Sequence, residues 1–156
     1  MASGKISKST GKDADRKLFR ILDANFNRSR EGLRVCEEIF RFFVPGTPFA
    51  AKLKKTRHAV TRALKSLPVP PSEILAARDV RGDEGKKFSS LEKNRESLAD
   101  LFSANIERVK ESLRVLEEFC KLLDARKAAE FKKLRFEVYE IEKKALPRLE
   151  TLRHHR

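Results

Sequence analysis

The chain has 156 residues, 38% of them charged, with 36 Lys and Arg set against 23 Asp and Glu. That length is enough for one domain with its own core, and so high a charge fraction confines the core to narrow, well-patterned stripes. A formal charge of +13 points to anionic partners such as nucleic acid, an acidic surface or phosphorylated small molecules, and no apolar run is as long as a membrane span.

Residues 1–12 are basic and hold no apolar segment of signal-peptide type, so a flexible tail and a cytoplasmic location are expected. Cys36 and Cys120 fall on apolar arcs and read as buried thiols, which suits a reducing cytosol. The first helix is expected to start at Asp13 or Asp15 as cap, run to about Val44, and stop at Pro45-Gly46. Thr47 as cap and Pro48 as first residue open a second helix to about Ser66, with Phe49, Leu53, Val60, Leu64 and Leu67 as its stripe. Pro68, Pro70 and Pro71 make a stiff crossover, and Ser72 caps one short turn from Glu73 to Ala77. The polar stretch from Ala77 to Lys87 then reads either as a mobile flap or as a plain linker. A helix from about Ser90 to Leu123 follows, and Asp124 caps a last one to Leu146 or, through Pro147, to Leu152. Residues 153–156 are read as a tail; His154 and His155 fall there.

The chain is duplicated. ANFNRSREGLRVCEE (Ala24 to Glu38) returns as ANIERVKESLRVLEE (Ala104 to Glu118), 80 positions on, with nine of 15 residues identical. The following helices match too, LKKTRHAV from Leu53 with FKKLRFEV from Phe131. The expected fold is therefore all-α: one domain over residues 13–152 with no β-sheet. Two helix hairpins, about 13–67 and 91–146, pack with pseudo-twofold symmetry around the 68–90 connection.

On a helical wheel Asn25 falls inside the apolar arc, and Arg28 lies about 60° from it. Asn105 and Arg108 repeat the arrangement, and Arg57 and Arg135 lie in the stripes of their own helices. Polar groups at such places need partners. The six residues are expected to meet in one interior region. There they form either a salt-bridge network with Glu31, Glu38, Glu111 and Glu118 or a phosphate pocket, with Gly32 and Ser112 leaving room for the ligand. Asp79 and Asp83 are candidate oxygen ligands for Mg²⁺. His58 points away from its stripe. No Walker loop, Cys/His metal cluster or Ser-His-Asp order is present.

DANFNRSREGLRVCEE (Asp23 to Glu38), KKTRH (Lys54 to His58), ARDVRGDEG (Ala77 to Gly85) and SANIERVKESLRVLEEF (Ser103 to Phe119) resemble, in that order, one family. It is the helical domain found ahead of thiamine phosphate synthase in some bacteria, considered a monofunctional hydroxymethylpyrimidine phosphate kinase. The resemblance implies ATP-dependent conversion of 4-amino-5-hydroxymethyl-2-methylpyrimidine phosphate to its diphosphate in thiamine synthesis. It places family motifs on Asn25, Arg28, Glu31, Arg34 and Glu38, on Asn105, Arg108, Glu111, Arg114 and Glu118, and on Arg57, His58, Arg78, Asp79 and Asp83. Arg78, Asp79 and Asp83 are then the expected catalytic residues, with both aspartates on Mg²⁺. Asn25, Arg28, Glu31, Asn105, Arg108, Glu111, Arg57 and His58 are expected to bind substrate. Expected partners are the phosphorylated pyrimidine and a nucleotide, with a second copy of the chain and thiamine phosphate synthase as protein partners. The competing reading is a non-catalytic basic helical module binding nucleic acid or a protein. Against nucleic acid stand a single Tyr, no Trp, and basic residues interspersed with acidic ones.

Overall fold

The structure is a computed structural model that describes the backbone of residues 6–83 and 94–152 and the side chains of 11–83 and 94–152. It is all-α: α1 (Ile6–Phe43), α2 (Phe49–Lys65), α3 (Pro71–Ala76), α4 (Leu98–Cys120) and α5 (Ala125–Leu152), with no strand among the described residues. Four long helices close a ring in which α1 packs on α2 and α4, and α5 on the same two, while α3 lies against α1.

The two copies meet where α1 crosses α4, and the crossing is antiparallel. Gly32 lies against Asn105 and Val109, the Cys36 thiol reaches the carbonyl of Phe102 at 3.8 Å, and the Phe40 ring meets that of Phe102 at 5.6 Å. Advancing along α1 therefore means retreating along α4, as a twofold axis across the pair requires. A Cβ on Gly32 would stand 2.7 Å from Val109 Cγ2 and 3.0 Å from the carbonyl oxygen of Asn105. Gly32 is thus where the two backbones come together, and the room expected there for a ligand is filled by α4. Ser112, its equivalent, is buried and turns its hydroxyl back onto the carbonyls of Arg108 and Val109. Such back-bonding satisfies a hydroxyl inside a helix.

The expected stripe of α2 is buried as read, and Phe40, Phe102 and Phe131 are the largest fully buried side chains. Each contributes about 1.5–3 kcal/mol by leaving water. Phe43 is 63% exposed because α1 ends there. Both cysteines are buried and unpaired, and burial pushes the Cys120 thiol up to about 12.

The helix ends correct several expectations. Residues 6–12, read as tail, continue α1, and Asp13 pairs with Lys17 at 2.9 Å instead of capping. Thr47 turns its hydroxyl back to the carbonyl of Val44, so α2 starts at Phe49 without a side-chain cap. The fixed φ of Pro71 opens α3, which leaves Ser72 inside it. Ser90, the expected start of α4, lies outside the described residues; Ser97 caps that helix by accepting from the Asp100 N–H at 3.1 Å. Asp124 does cap α5, accepting from Arg126 and Lys127, and α5 runs through Pro147 to Leu152. In the first copy the prolines after Leu67 end the equivalent helix, and the chain leaves for α3.

Gly32→Ala gains helix propensity of about 1 kcal/mol, against an overpacking cost of about 1–3 kcal/mol. The stiff, β-branched Val109 and a backbone carbonyl cannot easily give way, so a lower denaturant midpoint is expected. Val109→Ala in the same chain should recover part of the loss. A higher midpoint for Gly32→Ala alone would mean that the crossing is loose.

Candidate functional site

Asp23 lies near the middle of α1 and is buried. Arg78, two residues past α3, donates Nε and Nη2 to its two carboxylate oxygens at 2.7 and 2.8 Å. A forked pair of this kind fixes orientation as well as position. The hydrogen bonds Arg78 donates to Asp23 raise its pKa above the usual guanidinium value; burial opposes this, and the charges of Asp23 and Glu31 add smaller upward contributions. Asp79 then closes a turn. Its Oδ1 accepts from the Gly82 N–H at 2.9 Å, and its Oδ2 lies 3.7 Å from Nη1 of Arg20. The Gly82 N–H first, then the charges of Arg20 and Arg16, hold Asp79 below the usual carboxylate range. A side chain at Gly82 would collide with that carboxylate. Two ion pairs, Asp23–Arg78 and Arg20–Asp79, therefore strap residues 78–83 along one flank of α1.

Between strap and helix is a cleft of about 360 Å³ lined by Arg20, Asp23, Asn27, Arg28, Glu31, Arg78, Asp79 and Asp83. Five of these were expected in the site: Arg28, Glu31, Arg78, Asp79 and Asp83. Arg28 is exposed and has no ion-pair or hydrogen-bond partner among the described residues. Glu31 is exposed and forms no ion pair among the described residues, although its charge favours the charged form of Arg78. A cleft with an uncommitted guanidinium at its mouth and two aspartates on its far wall suits a phosphorylated ligand.

The single interior region does not form. Ser29 is fully buried and lies about 40° from Asn25, so the buried arc of α1 is centred near Ser29 and leaves Arg28 on its rim. From a rim a long cationic side chain reaches water. Arg108 is exposed for the same reason, beside fully buried Val109. Asn25 is buried, but its amide donates to the Ile21 carbonyl at 2.9 Å, and Asn105 bonds to Leu101 at the same distance. Both amides are therefore turned onto their own helix, and neither lines the cleft. His58 is exposed on α2 and also lies outside the cleft.

Arg57 is engaged elsewhere. Its Nε donates to Glu37 at 2.9 Å, with the two side chains 13% and 4% exposed. Arg135 makes the equivalent pair with Glu117 at 3.0 Å and adds a bond to the Tyr139 hydroxyl. Burial opposes its charge, but the bonds to Tyr139 and Glu117 outweigh this and raise its pKa. Glu37 and Glu117 are the carboxylates that sequence reasoning missed, although both stand in the repeated Glu-Glu and both arginines needed an anion. Arg34–Glu38 and Arg114–Glu118 are surface pairs one turn apart in each copy. Glu111 lies in a separate cleft of about 480 Å³ on the second repeat, with Lys110, Arg114, Arg135 and Tyr139.

No group of three or more His, Cys, Asp or Glu among the described residues is placed to hold a metal ion. No helix of the described residues is long and apolar enough to cross a membrane.

The ThiD2 family matches residues 20–144, which takes in both repeats and the strap. A thiamine-phosphate synthase of Nostoc punctiforme is 39% identical over 126 residues, which is 80% of this chain and 34% of that protein. A protein of the same name from Synechocystis is 41% identical over 126 residues, covering 80% and 35%. One from Rhodopirellula baltica is 34% identical over 125 residues, covering 80% and 33%. The chain thus spans about a third of the length of these relatives. No solved structure matches it.

Two variants separate support from binding. Arg57→Met leaves the buried Glu37 carboxylate with only half-exposed Arg34, 3.4 Å away, and should lower stability by about 3 kcal/mol. Arg28→Ala removes no contact and should leave the denaturant midpoint within about 0.5 kcal/mol of wild type. A large loss for Arg28→Ala would place that side chain in the framework and out of the site.

Proposed function

The chain belongs to the ThiD2 family, and from that premise we propose a kinase of thiamine biosynthesis that phosphorylates 4-amino-5-hydroxymethyl-2-methylpyrimidine phosphate to its diphosphate with ATP. What carries the reading is the cleft under the strap, with uncommitted Arg28 on one wall and Asp79 and Asp83 on the other. The names of the relatives support the pathway.

The reaction asks little acid–base chemistry of the protein. A phosphate oxygen of the substrate attacks the γ-phosphorus of ATP, the bond from that phosphorus to the bridging oxygen breaks, and ADP leaves. The attacking oxygen already carries negative charge near neutral pH, so no general base has to be found in the cleft. Positioning and charge neutralisation remain. Arg28 binds a phosphate in bidentate fashion, and Arg20 lies on the same wall, 3.7 Å from Asp79. Glu31, an acceptor without an ion-pair partner among the described residues, takes a hydrogen bond from the exocyclic amine of the pyrimidine. Arg78, committed to Asp23, sets the position of the two aspartates after it.

A dedicated cage for Mg²⁺ is not built from the described residues. The pair Asp79 and Asp83 fits the other mode, in which one or two carboxylates hold an ion that keeps its remaining bonds for phosphate oxygens and water. Bound there, the ion supplies neutralisation of phosphate charge. A thiamine-phosphate synthase is the proposed protein partner, since relatives of that name extend well beyond the matched stretch.

ADP release measured with the pyrimidine phosphate, ATP and Mg²⁺ tests the reading. Wild type should release ADP only when the pyrimidine phosphate is present. Asp79→Asn and Asp83→Asn should lower kcat at least about tenfold, a rise of about 1.4 kcal/mol in barrier. In Asp79→Asn the new amide oxygen still accepts from the Gly82 N–H, so the melting temperature should hardly move. No ADP release above the pyrimidine-free control would end the kinase reading.

A further inference from the structure

Arg30 carries the one buried side-chain nitrogen or oxygen, among the described residues, that has no hydrogen-bond partner: its Nε. The guanidinium sits over the Phe26 ring at 5.2 Å and meets no carboxylate among the described residues. A buried donor left unpaired is destabilising unless something supplies an acceptor.

The duplication shows what is missing. The equivalent of Arg30 is Lys110, which pairs with Glu107 on its own helix and with Glu142 of α5 at 2.7 Å. The first-repeat equivalents of those glutamates are Asn27 and Leu64. Tyr139, whose ring lies under Lys110 at 5.5 Å, becomes Thr61, a smaller residue. The remaining positions are kept: Arg34 for Arg114, Arg57 for Arg135, Glu37 for Glu117. The first repeat has thus lost two carboxylates and a phenol ring from a cluster whose three cations remain.

We propose that the side of α1 carrying Arg30 binds a phosphate group of a ligand, which replaces the two carboxylates that the second repeat supplies to Lys110. A phosphate monoester brings about −1.5 to −2 charge at neutral pH, close to the two negative charges lost. Its oxygens accept from a guanidinium fork in the geometry of Arg30. Thr61 leaves space where the second repeat has Tyr139. Asn27, three residues before Arg30 and so on the neighbouring face of α1, lines the strap cleft, so the two sites adjoin. This site is distinct from Arg28, which lies about 160° away around the helix. It does not rest on the kinase reading.

Calorimetric titration of the full chain with inorganic phosphate, and with acetate as a singly charged control, tests this. Wild type should bind phosphate and not acetate. Arg30→Gln should weaken phosphate at least about tenfold, and its melting temperature in phosphate-free buffer should hold or rise, since an unpaired buried donor is gone. Thr61→Glu, which sets a carboxylate where the second repeat has Tyr139 beside Lys110, should also weaken phosphate while raising the melting temperature. Arg28→Ala should retain this site. Phosphate affinity unchanged in both Arg30→Gln and Thr61→Glu, abolished by Arg28→Ala alone, or absent from wild type would overturn the proposal. Phosphate binding in a chain that releases no ADP would leave it standing without the kinase.

Discussion

The close crossing of α1 and α4 at Gly32 is the constraint on which the rest depends. One backbone comes within contact distance of the other there, with Val109 and the Asn105 carbonyl in the space of a missing side chain. Because the two helices are copies of one sequence, the contact relates them by a twofold axis and sets each copy's second helix on the same side. Each second helix is then tied to its partner by a buried carboxylate–guanidinium pair, Glu37–Arg57 in one half and Glu117–Arg135 in the other. Buried pairs of this kind add little net stability over apolar packing, but losing one partner is expensive. We read them as fixing the register of each hairpin.

With the framework accounted for by symmetric contacts, function falls to what the halves do not share. The first half breaks its second helix at prolines and sends the chain through α3 to strap Arg78 and Asp79 against α1. The second half runs its helix straight on through Pro147. Among the described residues the first half leaves Arg28 and Arg30 without carboxylates, while the second pairs Lys110 twice. Both proposed ligand sites accordingly lie on the first repeat, where the halves differ.

Much of this was legible from residues. The duplication, the all-α fold, the α2 stripe and the Asp124 cap follow from spacing and capping chemistry, and Arg28, Glu31, Asp79 and Asp83 do share a cleft. The interior site was misread for a geometric reason. A wheel centred on Asn25 made the arc symmetrical about it, whereas burial centres on Ser29, a shift of about 40° that moves an arginine from core to rim. Gly32 looked like empty space because a wheel shows one helix and not the neighbour that fills the gap. Asp23 gave no signal at all: its partner is 55 residues away, and only the path of the chain through α3 brings Arg78 to it. Glu37 was within reach, since two stripe arginines at repeat-related positions required two repeat-related acids.

The central claim is that the first repeat holds a site selective for a phosphorylated pyrimidine, and the melting temperature tests it most directly. A ligand bound only by the folded chain at about a hundred times its Kd adds about 2.7 kcal/mol of stability. The account predicts that 4-amino-5-hydroxymethyl-2-methylpyrimidine phosphate raises the melting temperature well above the value given by an equal concentration of ribose 5-phosphate, and that Arg28→Ala removes the difference. Equal shifts from both phosphates, or a pyrimidine-specific shift that survives Arg28→Ala, would contradict it.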